Sequence, residues 1–161
     1  MIESIEKYGK SHPDKLKYTD RLLLANENEQ FSWFEKSLVH AEKALELSVD
    51  SWQFANAYWC IARINGKLNK LNDMRTFYAK AVHEFDKIGL NSTALSVMQL
   101  YTQWINVELF QNDSCIQAKK IFDAMKAVYS GPEVWPATKE TVRIEFQKML
   151  SMAKKTCDLE L

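Results

Sequence analysis

The 161-residue chain has little of what breaks helices or builds tight turns: 4 glycines and 3 prolines in all. Such sparse punctuation argues against many short strands joined by hairpins and for long helices. It also lacks any imbalance of charge, with 21 basic residues against 21 acidic ones. A nucleic-acid binder draws affinity from neutralising phosphates with a basic excess, so none is expected as a partner. No apolar run approaches the roughly 18 residues of a membrane span, and the start MIESIEKYGK has no basic region followed by an apolar one. Cys60, Cys115 and Cys157 are odd in number and widely spaced, without a CxxC pair or a histidine at ligand spacing. Neither a disulfide framework nor a zinc site is expected from them, and reduced thiols point to the cytoplasm.

What is present is helical periodicity with helix-start signals at intervals. Leu38, Val39, Ala41 and Leu45 form one stripe, and Ile121, Phe122, Met125 and Val128 another. Ser32-Trp33-Phe34-Glu35 has the form of a capping box, and Asp50 or Ser51, Asn72 or Asp73, Asn91 or Ser92, and Ser114 offer side-chain oxygens before later apolar runs. Gly89 and Gly131-Pro132 are stop signals. These marks predict helices over about 14–30, 32–48, 51–69, 72–88, 92–112, 114–130 and 137–157, with a short one over 2–9. Connections of about two to four residues force consecutive helices antiparallel. The expectation is one all-α domain over 1–161, with hairpins over 14–130 and a final amphipathic helix.

Within YWCIARINGKLNKLNDMRTFYAKA, residues 58–81, Tyr58, Ile61 and Ala62 precede a polar bridge with Leu71, and Met74, Tyr78 and Ala81 follow it. The order recurs upstream as Leu24, Ala25, Phe34, Ser37, Ala41 and Ala44, and downstream as Ile105, Asn106, Leu109, Ala118, Phe122 and Met125. This resembles the tetratricopeptide repeat over about residues 14–129. Small residues let two helices approach, and an aromatic fills the gap to the next hairpin, so a repeat cannot bury its apolar face alone. There are departures: Ala44 to Ala81 is 37 residues and Ala81 to Met125 is 44, against about 34 in the family, and Asn106 stands where a small residue belongs. The resemblance implies a short right-handed superhelix of about three hairpins, with residues 137–157 as a capping helix. Val142, Ile144, Phe146, Met149, Leu150 and Met152 supply the apolar side of that lid.

The resemblance also implies a concave face lined by the first helix of each hairpin. On it would lie Leu22 and Asn26, then Asn56, Trp59, Arg63 and Lys67, then Gln103 and Val107. Asn26, Arg63 and Lys67 suit a peptide's amides or carboxylate, and Trp59 an apolar anchor; the plainer alternative makes the cations a solvated face and Trp59 core. The family's carboxylate clamp is incomplete, because the third hairpin brings no second lysine or arginine. Trp135, between Pro132 and Pro136, is a second candidate anchor. His12, His40 and His83 have no organised catalytic neighbours, Asp14, Asp20, Glu27 and Glu29 form no recognisable acid–base pair, and no phosphate loop exists. No metal or cofactor is therefore expected. The sequence favours a non-enzymatic, cytoplasmic module binding a protein or peptide, as adaptor, chaperone or inhibitor; the alternative is a peptide-sensing domain that regulates a partner.

Overall fold

The computed structural model describes residues 16–130 and 136–157, together with Ile5, Lys7 and Ser11; the side chains of Tyr129, Val142, Glu145, Ala153 and residues 136–139 lie outside that description. From residue 16 on, the described residues form seven helices: α1 (Tyr18–Gln30), α2 (Phe34–Glu46), α3 (Ser51–Lys67), α4 (Leu71–Ile88), α5 (Leu90–Phe110), α6 (Cys115–Ser130) and α7 (Pro136–Cys157). No strand occurs among the described residues, so the chain is all-α. Of the expected helix over 2–9 only Ile5 and Lys7 are described, both helical, and the Gly131-Pro132 stop falls outside the described residues. Packing divides the chain into two compact units, Met1–Glu84 and Phe85–Leu161. In the first, α1, α2 and α3 pack on one another; in the second, α5, α6 and α7 do.

Three of the turns are built alike. Ser32 (φ 60°), Asn69 (φ 57°) and Asp113 (φ 46°) take the left-handed conformation, which side-chain-bearing residues rarely adopt. After α1, the Trp33 amide donates to the Asn28 carbonyl at 2.9 Å and the Ser32 amide to Glu29 at 3.0 Å. After α3, the Lys70 amide reaches Asn65 at 2.8 Å and the Asn69 amide reaches Gly66 at 3.1 Å. Both are Schellman closures, which satisfy the helix's last carbonyls. After α5 the loop is one residue wider, and the Ser114 amide donates to Glu108 at 2.8 Å. The residue after each left-handed one then opens the next helix through its own carbonyl, Trp33 to Ser37 (2.8 Å), Lys70 to Met74 (2.9 Å) and Ser114 to Ala118 (3.0 Å). Ser32, Asn69 and Asp113 are 37 and 44 residues apart, the same two intervals as Ala44, Ala81 and Met125.

This geometry corrects the expected capping box. Ser32 belongs to the end of α1, and α2 starts at Trp33 without a side-chain cap. Asp50 does cap α3, accepting from the Gln53 amide at 2.8 Å, while the Gln53 side chain accepts from the Val49 amide at 3.1 Å. Ser114 accepts from the Gln117 amide at 3.4 Å. Asn72, Asp73, Asn91 and Ser92 lie inside helices that begin one residue or more before them. Gly89 closes α4, donating to Phe85 at 3.1 Å, and also precedes α5; its φ of 98° is what requires glycine there, since a Cβ would meet nothing.

The first core gathers Ala25, Ala41, Cys60, Ile61 and Ile64, with Leu22, Phe34, Leu38, Leu45, Leu68 and Phe77 packed against it. Alanines let the helices approach, and each large apolar side chain taken out of water contributes about 1.5–3 kcal/mol. In the second unit Phe122 and Phe146 rings lie 5.1 Å apart, with Met125 and Met149 fully buried. Asn106, at the position of Ala25 and Ala62, is half-buried, and its Oδ1 is enclosed without a hydrogen-bond partner among the described residues.

The cysteines depart from expectation. Cys60 is a buried thiol, but Cys115 and Cys157 form a disulfide across a sequence separation of 42. Wide sequence spacing hid this pair, because an antiparallel packing of α6 and α7 brings the first residue of one helix to the last residue of the other.

Candidate functional site

The sequence candidates converge in the first unit, on α1 and α3. Asn26 and Glu29 are one turn apart on α1; Trp59, Arg63 and Lys67 are successive turns of α3. Arg63 Nη2 donates to Asn26 Oδ1 at 2.6 Å and to Glu29 Oε2 at 2.8 Å, and its Nε lies 3.2 Å from the same carboxylate oxygen. The guanidinium carbon sits 5.9 Å from the centre of the Trp59 ring. Cys60 closes the cluster, its thiol 3.7 Å from Asn26 Oδ1 and 3.8 Å from Arg63 Nη2.

The side chains of Arg63 and Glu29 keep only 24% and 16% of their exposure, so the pair has lost most of its water. Burial works against the Arg63 charge, but Cys60 and the hydrogen-bonded Glu29 carboxylate outweigh it and hold its pKa above the usual arginine value. Burial likewise pushes the Cys60 thiol up to about 12 and raises the Tyr78 phenol on α4. All three groups keep their neutral-pH charge state at neutral pH, and a thiol held so firmly protonated is no nucleophile.

The plainer alternative fails at two of its residues, since Arg63 is mostly buried and paired rather than solvated and Trp59 is half-exposed rather than core. Arg63 and Asn26 spend hydrogen-bonding capacity on fixing α1 to α3, and Leu22 packs against the core. What stays open to solvent is Lys67, exposed at the end of α3, with Trp59 and Asn56 half-exposed; the Asn56 amide donates to the Trp52 carbonyl at 2.7 Å. Gln103 and Val107 are half-buried residues of the second unit. Trp135, His12 and Asp14 lie outside the described residues. His40 sits 3.3 Å from an Arg21 nitrogen, and His83 is exposed. Among the described residues no group of three His, Cys, Asp or Glu side chains gathers to hold a metal, and no helix is long and apolar enough to cross a membrane.

Sequence reasoning missed Glu29 as Arg63's partner. The signal was available: Asn26 and Arg63 are 37 residues apart, one repeat interval, and Glu29 follows Asn26 by three on the same face of α1. Two apolar edges were missed as well. Phe31 and Trp33 stack at 5.4 Å at the α1–α2 turn, with the Lys36 ammonium 5.0 Å from the Trp33 ring, and Leu47, Val49 and Trp52 are all exposed around the α2–α3 turn. Comparison of the chain with protein-family models, with curated proteins and with solved structures finds no match.

Proposed function

We propose that the chain is a tetratricopeptide-like helical-repeat module, a single domain of about three hairpins with α7 as its cap, that binds a peptide or a partner protein without catalysing a reaction. The observation that carries this reading is the recurrence of a left-handed turn residue at Ser32, Asn69 and Asp113, at the 37- and 44-residue intervals of the sequence pattern. Equivalent positions of the pattern are buried in all three copies: Leu24, Ile61 and Ile105 in the first helices, and Ala44, Ala81 and Met125 in the second. An array of this kind leaves a rigid face on its first helices, on which binding needs little further ordering.

In this reading the binding face runs along α3 and includes Asn56, Trp59 and Lys67, with Asn26 and Arg63 as its inner wall; in the second unit Gln103 holds the sequence position equivalent to Trp59. Arg63, already paired to Glu29, orients Trp59, while Trp59 and Lys67 meet the ligand. An adaptor, a chaperone or an inhibitor fits such a face; the expectation of a cytoplasmic setting rested on reduced thiols, which the Cys115–Cys157 bond does not support. The test is titration with a random-sequence peptide library fractionated by binding, read by tryptophan fluorescence and repeated with Trp59→Ala and Lys67→Glu. Both variants are expected to fold normally and to lose binding; retention of full binding by both would remove this face from consideration.

A further inference from the structure

We propose that the Cys115–Cys157 bond is a redox-responsive latch on the end of α7, ordering its last two turns when formed and releasing them when reduced. The bond joins the first residue of α6 to the last residue of α7. α7 is anchored in its middle, where Phe146 packs on Phe122 and Met149 is fully buried. Beyond Met149 the described side chains change character: Leu150, Met152 and Cys157 are half-buried, and Ser151, Lys154, Lys155 and Thr156 are exposed. None of them is fully buried, so hydrophobic packing holds this segment less firmly than it holds Phe146 and Met149, and helix ends with little packing fray. The first two residues of α6 are also partly open, with Ile116 at 74% exposure beside a half-buried Cys115, before the buried Ala118.

Both sulfurs therefore lie at partly exposed helix ends, where an exchanging thiol can reach them. A dithiol reductant attacks one sulfur as the thiolate, the Cys115–Cys157 bond breaks, and a mixed disulfide forms on the attacked cysteine. The reductant's second thiol resolves it, leaving two cysteine thiols and the reductant as its own disulfide, with two electrons and two protons transferred. Exchange with a low-molecular-weight disulfide runs the reverse course. Cys60, buried among Asn26 and Arg63 in the other unit, takes no part. The latch controls how much of α7's end is ordered, whereas the Phe122–Phe146–Met149 core persists in both states.

Hydrogen exchange of the full chain, read by mass spectrometry with and without dithiothreitol, tests this. Amides from 150 to 157 are expected to exchange about tenfold faster or more after reduction, with protection restored by oxidised glutathione, while α5 keeps its protection. Cys157→Ser and, as a second variant, Cys115→Ser are expected to match the reduced protein without added reductant. Unchanged exchange on reduction would overturn the latch. Loss of protection through α5 and α6 as well would also overturn it, by making the bond a staple of the whole unit.

Discussion

The two units each enclose a carboxylate beside a helix–helix turn, and they satisfy it by different routes. In the first, Glu29 is met by Arg63, 34 positions away on another helix. In the second, Glu108 is fully buried and accepts from the Trp104 indole at 3.2 Å and the Asn112 amide at 2.8 Å, each four positions away. The first arrangement fixes two helices against each other; the second fixes one helix to the turn that follows it. A carboxyl group thus serves tertiary register in one unit and local turn shape in the other.

The largest expected effect tests whether the units share one repeat position. Tyr78 and Phe122 are 44 residues apart and both are almost wholly buried. Alanine at either should cost about 3–5 kcal/mol in urea denaturation. A cost under about 1 kcal/mol at one of them would break the equivalence.

Alkaline pH should separate the units next. Burial raises the Cys60 pKa from 9.0 to about 12, so the folded state holds a proton that the unfolded chain releases. Its contribution is complete below pH 9 and drains away toward pH 12, at about 1.4 kcal/mol per pH unit. The Tyr101 phenol in the second unit, pushed from 10.0 to about 12 by burial and then by Asp86, starts this loss a unit later. Denaturation midpoints between pH 8 and 11, followed by hydrogen exchange of each unit, check the order, and Cys60→Ala should remove the earlier phase.

Glu29→Ala should destabilise the first unit by about 1–3 kcal/mol, because it strands a guanidinium with little access to water. By contrast Glu140→Gln should leave the denaturation midpoint unmoved, although Arg143 lies 2.6 Å away and lowers the Glu140 pKa by hydrogen bonding, since that carboxylate is fully exposed. In the opposite direction, Asn106→Ala restores the residue type of the first two hairpins and removes an enclosed, unpaired oxygen. Thermal denaturation should show a gain of about 1 kcal/mol. The smallest effect compares two turns: Ser32→Gly should stabilise by about 0.5–1 kcal/mol, and Asn69→Gly by less, because asparagine tolerates the left-handed region better than serine.

The all-α class and most helix positions were legible in the sequence. Helix positions followed from 3.6-residue periodicity and from Asp50 and Gly89, whose roles depend on neighbours within four residues. Ser32 was misread because its serine-to-glutamate spacing imitates a cap, whereas its φ is set by how tightly α1 turns into α2. The candidate face was half legible: the repeat interval brought Asn26 next to Arg63, but which polar groups consume each other depends on side-chain reach, so Glu29's claim on Arg63 went unseen. The disulfide was illegible for a related reason, since it depends on the ends of two long helices meeting. Nothing local to Cys115 or Cys157 encodes that.

The most direct test of the binding account is side-chain and amide NMR of the full chain during titration with a peptide selected from the library. The account predicts that shifts concentrate on Asn56, the Trp59 indole and Lys67, with smaller changes at Asn26 and Arg63. Shifts confined to Phe31 and Trp33, or to Leu47, Val49 and Trp52, would contradict it and move the binding surface to a turn edge.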